Sequence, residues 1–169
     1  MNFPKKSLGQ NFLKDKNIIK KIINIVKIKN KNIIEIGPGD GALTNQIIKF
    51  EPRTLFLIEK DFKLYNQLKL KFKNKKFVKV FCNDFLKFDF EKIIKKNTVI
   101  FGNLPYNVSS QIFVKLLKCK LWPPKYSDLI LMFQKELGEK IVAKFPSSKY
   151  GRLSILTNLM LDLKKKFIV

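Results

Sequence analysis

Two hydrophobic periods alternate along the chain. Ile18, Ile19, Ile22, Ile23 and Val26 recur at helical spacing and predict a helix over 17–26, with Asp15 placed to cap it. The apolar run Asn32-Ile-Ile-Glu-Ile36 stops at glycines and predicts a strand. A helical pattern over 42–50, with Ala42, Leu43, Ile47 and Ile48 on one face, comes next, and then a buried strand over 54–59. Asp61 opens an amphipathic helix over 62–72. Strands follow over 77–82 and 98–102, a helix over 110–117, a strand over 128–134 and a helix over 135–145. Residues 154–163 read as helical, and 166–169 as the start of a further strand.

This order predicts βαβ units: an α/β, Rossmann-like fold with a mostly parallel sheet and helices on both faces. No internal repeat or Pro/Gly/Ser-rich linker divides the 169 residues, so one domain with one core is expected. Such a sheet binds ligands at the carboxyl ends of its strands, and the residues there carry the chemistry. After the first strand stands Glu35-Ile-Gly-Pro-Gly-Asp-Gly41, whose glycines let a ligand approach the backbone. The spacing is Gly-x-Gly-x-Gly rather than that of dinucleotide sites, and Pro38 lacks an N–H for a pyrophosphate, which points to a nucleoside without phosphates. Glu59, after the second strand, can accept from both hydroxyls of a ribose. After the third, Asp84 can accept from an adenine amino group and Phe85 can cover the ring. After the fourth comes Gly102-Asn-Leu-Pro-Tyr-Asn107, where Asn103 offers an amide oxygen, Pro105 fixes the backbone and Tyr106 presents a flat face. Taken singly, each of these has a plainer alternative: a strand-to-helix turn, a surface carboxylate, a helix-capping aspartate, a proline turn.

Composition narrows the chemistry. There is no histidine, which removes imidazole bases, Ser-His triads and His-ligated metals. The two cysteines, Cys82 and Cys119, lack metal or redox spacing and are expected to be reduced, half-buried packing residues. No apolar run reaches the length of a membrane span, and residues 1–15 lack the pattern of a signal peptide, so a cytoplasmic protein is expected. The net charge is +22, which favours a polyanionic partner, nucleic acid before membrane. Only Arg53 and Arg152 are arginines, however, and the abundance of Lys, Asn, Ile and Phe also fits A/T-rich codons on a solvated surface.

Gln10-Asn-Phe-Leu13, Glu35-Ile-Gly-Pro-Gly39 and Gly102-Asn-Leu-Pro-Tyr106, in that order, resemble the ribosomal RNA adenine N6-dimethyltransferase family, the bacterial small-subunit type above all. Lys135-Glu136 and Tyr150-Gly-Arg-Leu-Ser154 extend the likeness along essentially the whole chain. The resemblance implies the Rossmann-like methyltransferase fold and S-adenosyl-L-methionine as methyl donor, with no metal. It places Asn11, Leu13, Gly37, Gly39, Glu59, Asp84 and Asn103 at the donor, and Asn103, Leu104, Pro105 and Tyr106 at the reacting amine. The implied activity is N6-dimethylation of two adjacent adenosines in a 3′-terminal hairpin loop of 16S rRNA, within ribosome biogenesis. The implied partner is the 30S particle, met by a monomer, with RNA near Arg152. Members of that family continue with a further strand and a small helical RNA-binding domain. The expectation is therefore a catalytic domain over 1–169, arm 1–14 included, without the final strand or that domain. Two alternatives stay open: a 23S rRNA methyltransferase of the macrolide-resistance type, and a non-catalytic RNA-binding assembly factor on the same fold. A DNA adenine methyltransferase would need a target-recognition insertion, which the sequence lacks.

Overall fold

The computed structural model describes residues 12–120 and 122–168. Five strands, β1 (Asn32–Ile36), β2 (Thr54–Glu59), β3 (Val78–Cys82), β4 (Thr98–Asn103) and β5 (Tyr126–Met132), form one sheet in the order β3-β2-β1-β4-β5. All four pairings are parallel. Among the described residues six helices precede, connect and follow them: α1 (Lys16–Ile23), α2 (Ala42–Ile47), α3 (Phe62–Lys71), α4 (Ser109–Leu117), α5 (Lys135–Val142) and α6 (Arg152–Met160).

Both faces of the sheet are covered, and the side-chain alternation of each strand divides the core in two. Ile33, Leu55, Leu57, Val99 and Phe101 point to one side, where α1, α2 and α3 supply Ile19, Ile22, Leu43, Ile47 and Leu68. Ile34, Ile36, Ile58 and Ile100 point to the other and meet Ile112 and Leu116 of α4 with Phe85 and Phe90. Phe113 and Leu117 of α4 turn away from that cluster onto Ile141 of α5 and Leu153, Leu156 and Met160 of α6. After β1 the chain builds outward to β2 and β3, then returns to place β4 on the other side of β1. The connections diverge between β1 and β4, which is where such a sheet opens a crevice.

The expected caps are present. Asp15 accepts from Asn17 N and Ile18 N, and Asp61 from Lys63 N and Leu64 N. The boundaries shift where a local residue intervenes. The helix expected over 42–50 becomes α2 followed by a 3-10 turn, Ile48–Phe50, that ends at Glu51 in a left-handed conformation before Pro52. α5 ends at Val142, three residues short of Phe145, and Pro146 disfavours helix immediately before it. The strand expected over 166–169 does not form: residues 166–168 pair with no strand among the described residues, and Val169 lies outside them. Phe167 instead packs on the first core cluster, with Lys21 Nζ 6.0 Å from its ring centre. A strand exists only through a hydrogen-bonding neighbour, and the apolar pattern of this segment is satisfied by burying one side chain. Among the described residues no helix is long and apolar enough to cross a membrane.

Candidate functional site

The loops that leave β1, β2, β3 and β4 converge on one cleft at the carboxyl end of the sheet. Leu13, Gly37, Gly39, Glu59, Asp84, Asn103 and Pro105 all line it. Asn11 lies outside the described residues. Leu104 and Tyr106 are not part of the lining.

The first loop is shaped by glycine. Gly37 has φ +64°, and a Cβ there would find nothing nearer than Asn103 O at 3.9 Å and Pro105 Cδ at 4.0 Å. The missing side chain thus leaves an open gap between the first and fourth loops. Gly39 has φ +61°, and a Cβ would come within 3.1 Å of the Phe12 ring. Three glycine N–H groups of this loop are already committed. Gly37 N donates to Ile58 O (3.0 Å), Gly39 N to Glu59 Oε2 (3.0 Å) and Gly41 N to Pro38 O (2.9 Å). A phosphate would find these N–H groups occupied and Pro38 without one, so the cleft suits a nucleoside better than a nucleotide.

Glu59 is buried at the end of β2. Oε2 holds Gly39 N and Oε1 holds Asp61 N at 2.8 Å, so this carboxylate ties the first loop to the second. Burial raises its pKa above the ordinary value, against the pull of those two backbone donors. A carboxylate has about four lone-pair positions, so each oxygen retains capacity for a hydroxyl. Asp84 follows β3. Its Oδ1 accepts from Leu86 N (2.9 Å) and its Oδ2 meets Lys60 Nζ at 2.8 Å. Partial burial opposes ionisation of Asp84, but the Lys60 and Leu86 hydrogen bonds and the charges of Lys60 and Lys87 outweigh it and hold the pKa below the usual value.

Gly102 explains the shape of the fourth loop. A Cβ at this position would lie 2.7 Å from Leu104 Cδ2, so glycine is what allows Leu104 to fold back into the core, where it is buried. With Leu104 turned inward, its neighbours Asn103 and Pro105 face the cleft. Tyr106 stands at the edge, 42% exposed, and its carbonyl accepts from Ser109 Oγ at 3.2 Å in the first turn of α4.

Charged residues that the sequence reading did not assign also line the cleft or stand beside it. Glu35 lines the cleft from within β1 and is almost fully buried, sharing a face with Ile33. Its Oε2 accepts from Thr44 Oγ1 at 2.7 Å. Burial pushes its pKa up to about 8, opposed by the Thr44 hydrogen bond and reinforced by Glu59 and Asp40. An acidic residue inside an otherwise apolar strand was the available signal. Lys60 gave none, since its role depends on where Asp84 lands. Lys115 of α4 likewise gave none, although it donates to three carbonyls beside the cleft. The cysteine expectation holds for one of the pair. Cys119 is half-buried, and burial pushes its thiol up to about 11, whereas Cys82 is exposed at the end of edge strand β3. The Tyr150–Ser154 segment forms the start of α6, where Ser154 Oγ accepts from Gly151 N (2.8 Å) and Arg152 is left exposed.

Comparisons with known proteins bear on the family and the fold. Residues 1–168 match the family described as ribosomal RNA adenine dimethylase. A Ribosomal RNA small subunit methyltransferase A from Pelagibacter ubique is 44% identical over 164 residues, which is 95% of this chain and 61% of that protein. The crystal structure of a dimethyladenosine transferase from Plasmodium falciparum superposes with a TM-score of 0.76 at 31% identity, covering 88% of this chain and 52% of that one. The 23S rRNA methyltransferase ErmE superposes with a TM-score of 0.67 at 26% identity, over 87% of this chain and 55% of its own. The chain therefore spans about 61% of the length of that curated relative. With the match running over residues 1–168 and a relative 44% identical over 95% of this chain, the chain belongs to the ribosomal RNA adenine dimethylase family.

Proposed function

We propose that the cleft binds S-adenosyl-L-methionine and that the protein dimethylates N6 of two adjacent adenosines in the 3′-terminal hairpin loop of small-subunit ribosomal RNA, on the 30S particle, as a step of ribosome biogenesis. The observation that carries this reading is the juxtaposition of the open face of Gly37 with Asn103 and Pro105, where a Cβ on Gly37 would come to about 4 Å from both. A donor lying along the first three loops would present its reactive end to the fourth. The small-subunit substrate is favoured over the 23S type because identity to the small-subunit relative is 44%, against 26% to ErmE. Residues 1–169 form the donor-binding catalytic domain in this reading.

The residues present fit such a donor. Glu59 has lone pairs to spare for two ribose hydroxyls, Asp84 can accept from an exocyclic amine, and the buried Phe85 backs the cleft beside it. When bound, the donor supplies an electrophilic methyl group on a sulfonium. The protein's part is to prepare the acceptor. Adenine N6 is a poor nucleophile because its lone pair is delocalised into the ring. Asn103 Oδ1 and the backbone carbonyl after it accept the two N6 hydrogens, which draws the nitrogen toward tetrahedral geometry and frees the lone pair. In-line positioning of this kind can supply several kcal/mol. Tyr106, at the exposed edge, stacks the extruded base, worth roughly 1–3 kcal/mol. No general base is required, since the methylated ammonium is acidic enough to release its proton to water.

Isothermal titration with S-adenosyl-L-methionine, followed by labelled-methyl transfer to isolated 30S and 50S particles, tests the proposal. Donor binding and label in 30S adenines are expected. Glu59→Ala should raise the donor dissociation constant about 10- to 100-fold, the loss of a charged acceptor together with the tie to Gly39. A chain that binds no donor, or an E59A variant of unchanged affinity, refutes the assignment of the cleft.

A further inference from the structure

We propose that Lys115 is a positioning residue for the donor's base: it clamps the 84–88 turn to the helix that carries the methyl-acceptor loop. The inference rests on the reading of Asp84 as the acceptor for the donor's adenine amine.

Residues 84–88 form a single turn held mainly by its own hydrogen bonds. Lys87 N and Phe88 N both donate to Asp84 O at 2.9 Å, and Leu86 N donates to Asp84 Oδ1. Beyond it, Phe85 O accepts from Phe88 N (3.3 Å) and Phe88 O from Phe90 N (3.0 Å), and each of these carbonyls keeps a second lone pair. Lys115 Nζ, reaching from 27 to 30 residues further along the chain, donates to Phe85 O, Leu86 O and Phe88 O, each at 2.8 Å. An ammonium has three N–H donors, and three carbonyls take them. The same Nζ stands 5.5 Å from the centre of the Phe85 ring, which is buried and stacked on Phe90 at 5.4 Å. On α4, Lys115 lies between Ile112 and Leu116, both buried in the cluster that holds Phe85, so its stem is fixed as well as its head.

The position of Lys115 along α4 gives the clamp its consequence. The start of this helix is bonded to the fourth loop: Ser109 Oγ donates to Tyr106 O and Val108 N to Pro105 O. Fewer than two helical turns further on, Lys115 grips the turn that presents Asp84. One helix thus sets the distance between the group that reads the donor's base and the groups that hold the acceptor amine. Without the ammonium, the carbonyls of Phe85, Leu86 and Phe88 would each lose a charged donor, the turn would no longer be tied to α4, and Asp84 would be aimed only by its local bonds and by Lys60.

The test compares binding of S-adenosylhomocysteine with its inosyl counterpart, which carries a carbonyl where the adenine has its amine. The wild-type chain should prefer the adenosyl compound by at least about tenfold, since Asp84 can accept from an amine and repels a carbonyl. In K115M the adenosyl affinity should fall on the order of 10-fold and the preference should collapse toward unity. In K115A, methylammonium chloride should restore the preference, whereas tetramethylammonium at equal ionic strength, with no N–H, should not. Equal binding of both compounds by the wild type would refute the role of Asp84 itself. A wild type that discriminates beside a K115M that discriminates as well would overturn the clamp. A uniform loss of both ligands with the preference retained, or failure of K115M and K115A alike to fold by circular dichroism, would make Lys115 part of the scaffold and also overturn it.

Discussion

Glu35→Gln should make the protein more stable at neutral pH, by an amount that grows with pH. Glu35 is 2% exposed beneath α2, and its carboxyl is pushed from 4.5 up to about 8, chiefly by burial. The native state therefore holds a proton that the unfolded chain releases above pH 4.5. The contribution of Glu35 to stability is complete below that pH and is lost progressively as pH rises toward 8, after which nothing more is lost. One pKa unit corresponds to about 1.4 kcal/mol, so the loss between pH 4.5 and pH 7 is on the order of 3 kcal/mol. A glutamine keeps the shape and an acceptor for Thr44 Oγ1 but has no proton to release, so this dependence should vanish. Urea unfolding followed by circular dichroism from pH 5 to 8.5 measures it directly. The stability difference between E35Q and wild type should be small at pH 5 and reach several kcal/mol by pH 8. Thr44→Val supplies a second arm: it removes the hydrogen bond that favours ionised Glu35, so the falling portion of the wild-type curve should extend to higher pH. A stability difference between E35Q and wild type that stays constant across this range would show that Glu35 is ionised in the folded protein and would refute the reasoning.

Gly39→Ala should cost about 1–2 kcal/mol from the left-handed backbone alone, more once the Cβ meets the Phe12 ring, and should weaken donor binding through the Glu59 tie; thermal melting beside donor titration checks both, and an unchanged melting temperature would contradict the geometry. Asn103→Ala should leave the fold intact and abolish methyl transfer, so single-turnover kinetics on 30S particles at saturating donor should show the loss in the chemical step; near-normal turnover would dispose of the proposed amine activation. RNA binding should fall by about 1,000-fold or more between 50 and 200 mM salt if six or more lysines meet phosphates. A flat response in a filter-binding assay would assign the net charge of +22 to codon composition instead.

Much of the fold could be read from the sequence because its determinants are local. Asp15 and Asp61 cap the helices they precede in sequence, since a capping carboxylate bonds N–H groups only two and three residues away. The apolar runs 32–36, 54–59 and 98–102 are strands because residues buried on both faces must be apolar throughout, whatever their neighbours turn out to be. Glu59, Asp84 and Asn103 reach one cleft because parallel strands align their carboxyl ends, so each residue's place follows from its position after its own strand. Tertiary structure decided what depends on distant partners. The inward turn of Leu104 needs the absence of a Cβ at Gly102 and a core to enter. The proton on Glu35 depends on how deeply α2 buries it, and the ammonium of Lys115 on a turn 27 to 30 residues earlier. Residues 166–168 carry a strand-like pattern, yet a strand is a relation between two segments, and here Phe167 found a hydrophobic cluster rather than a hydrogen-bonding neighbour.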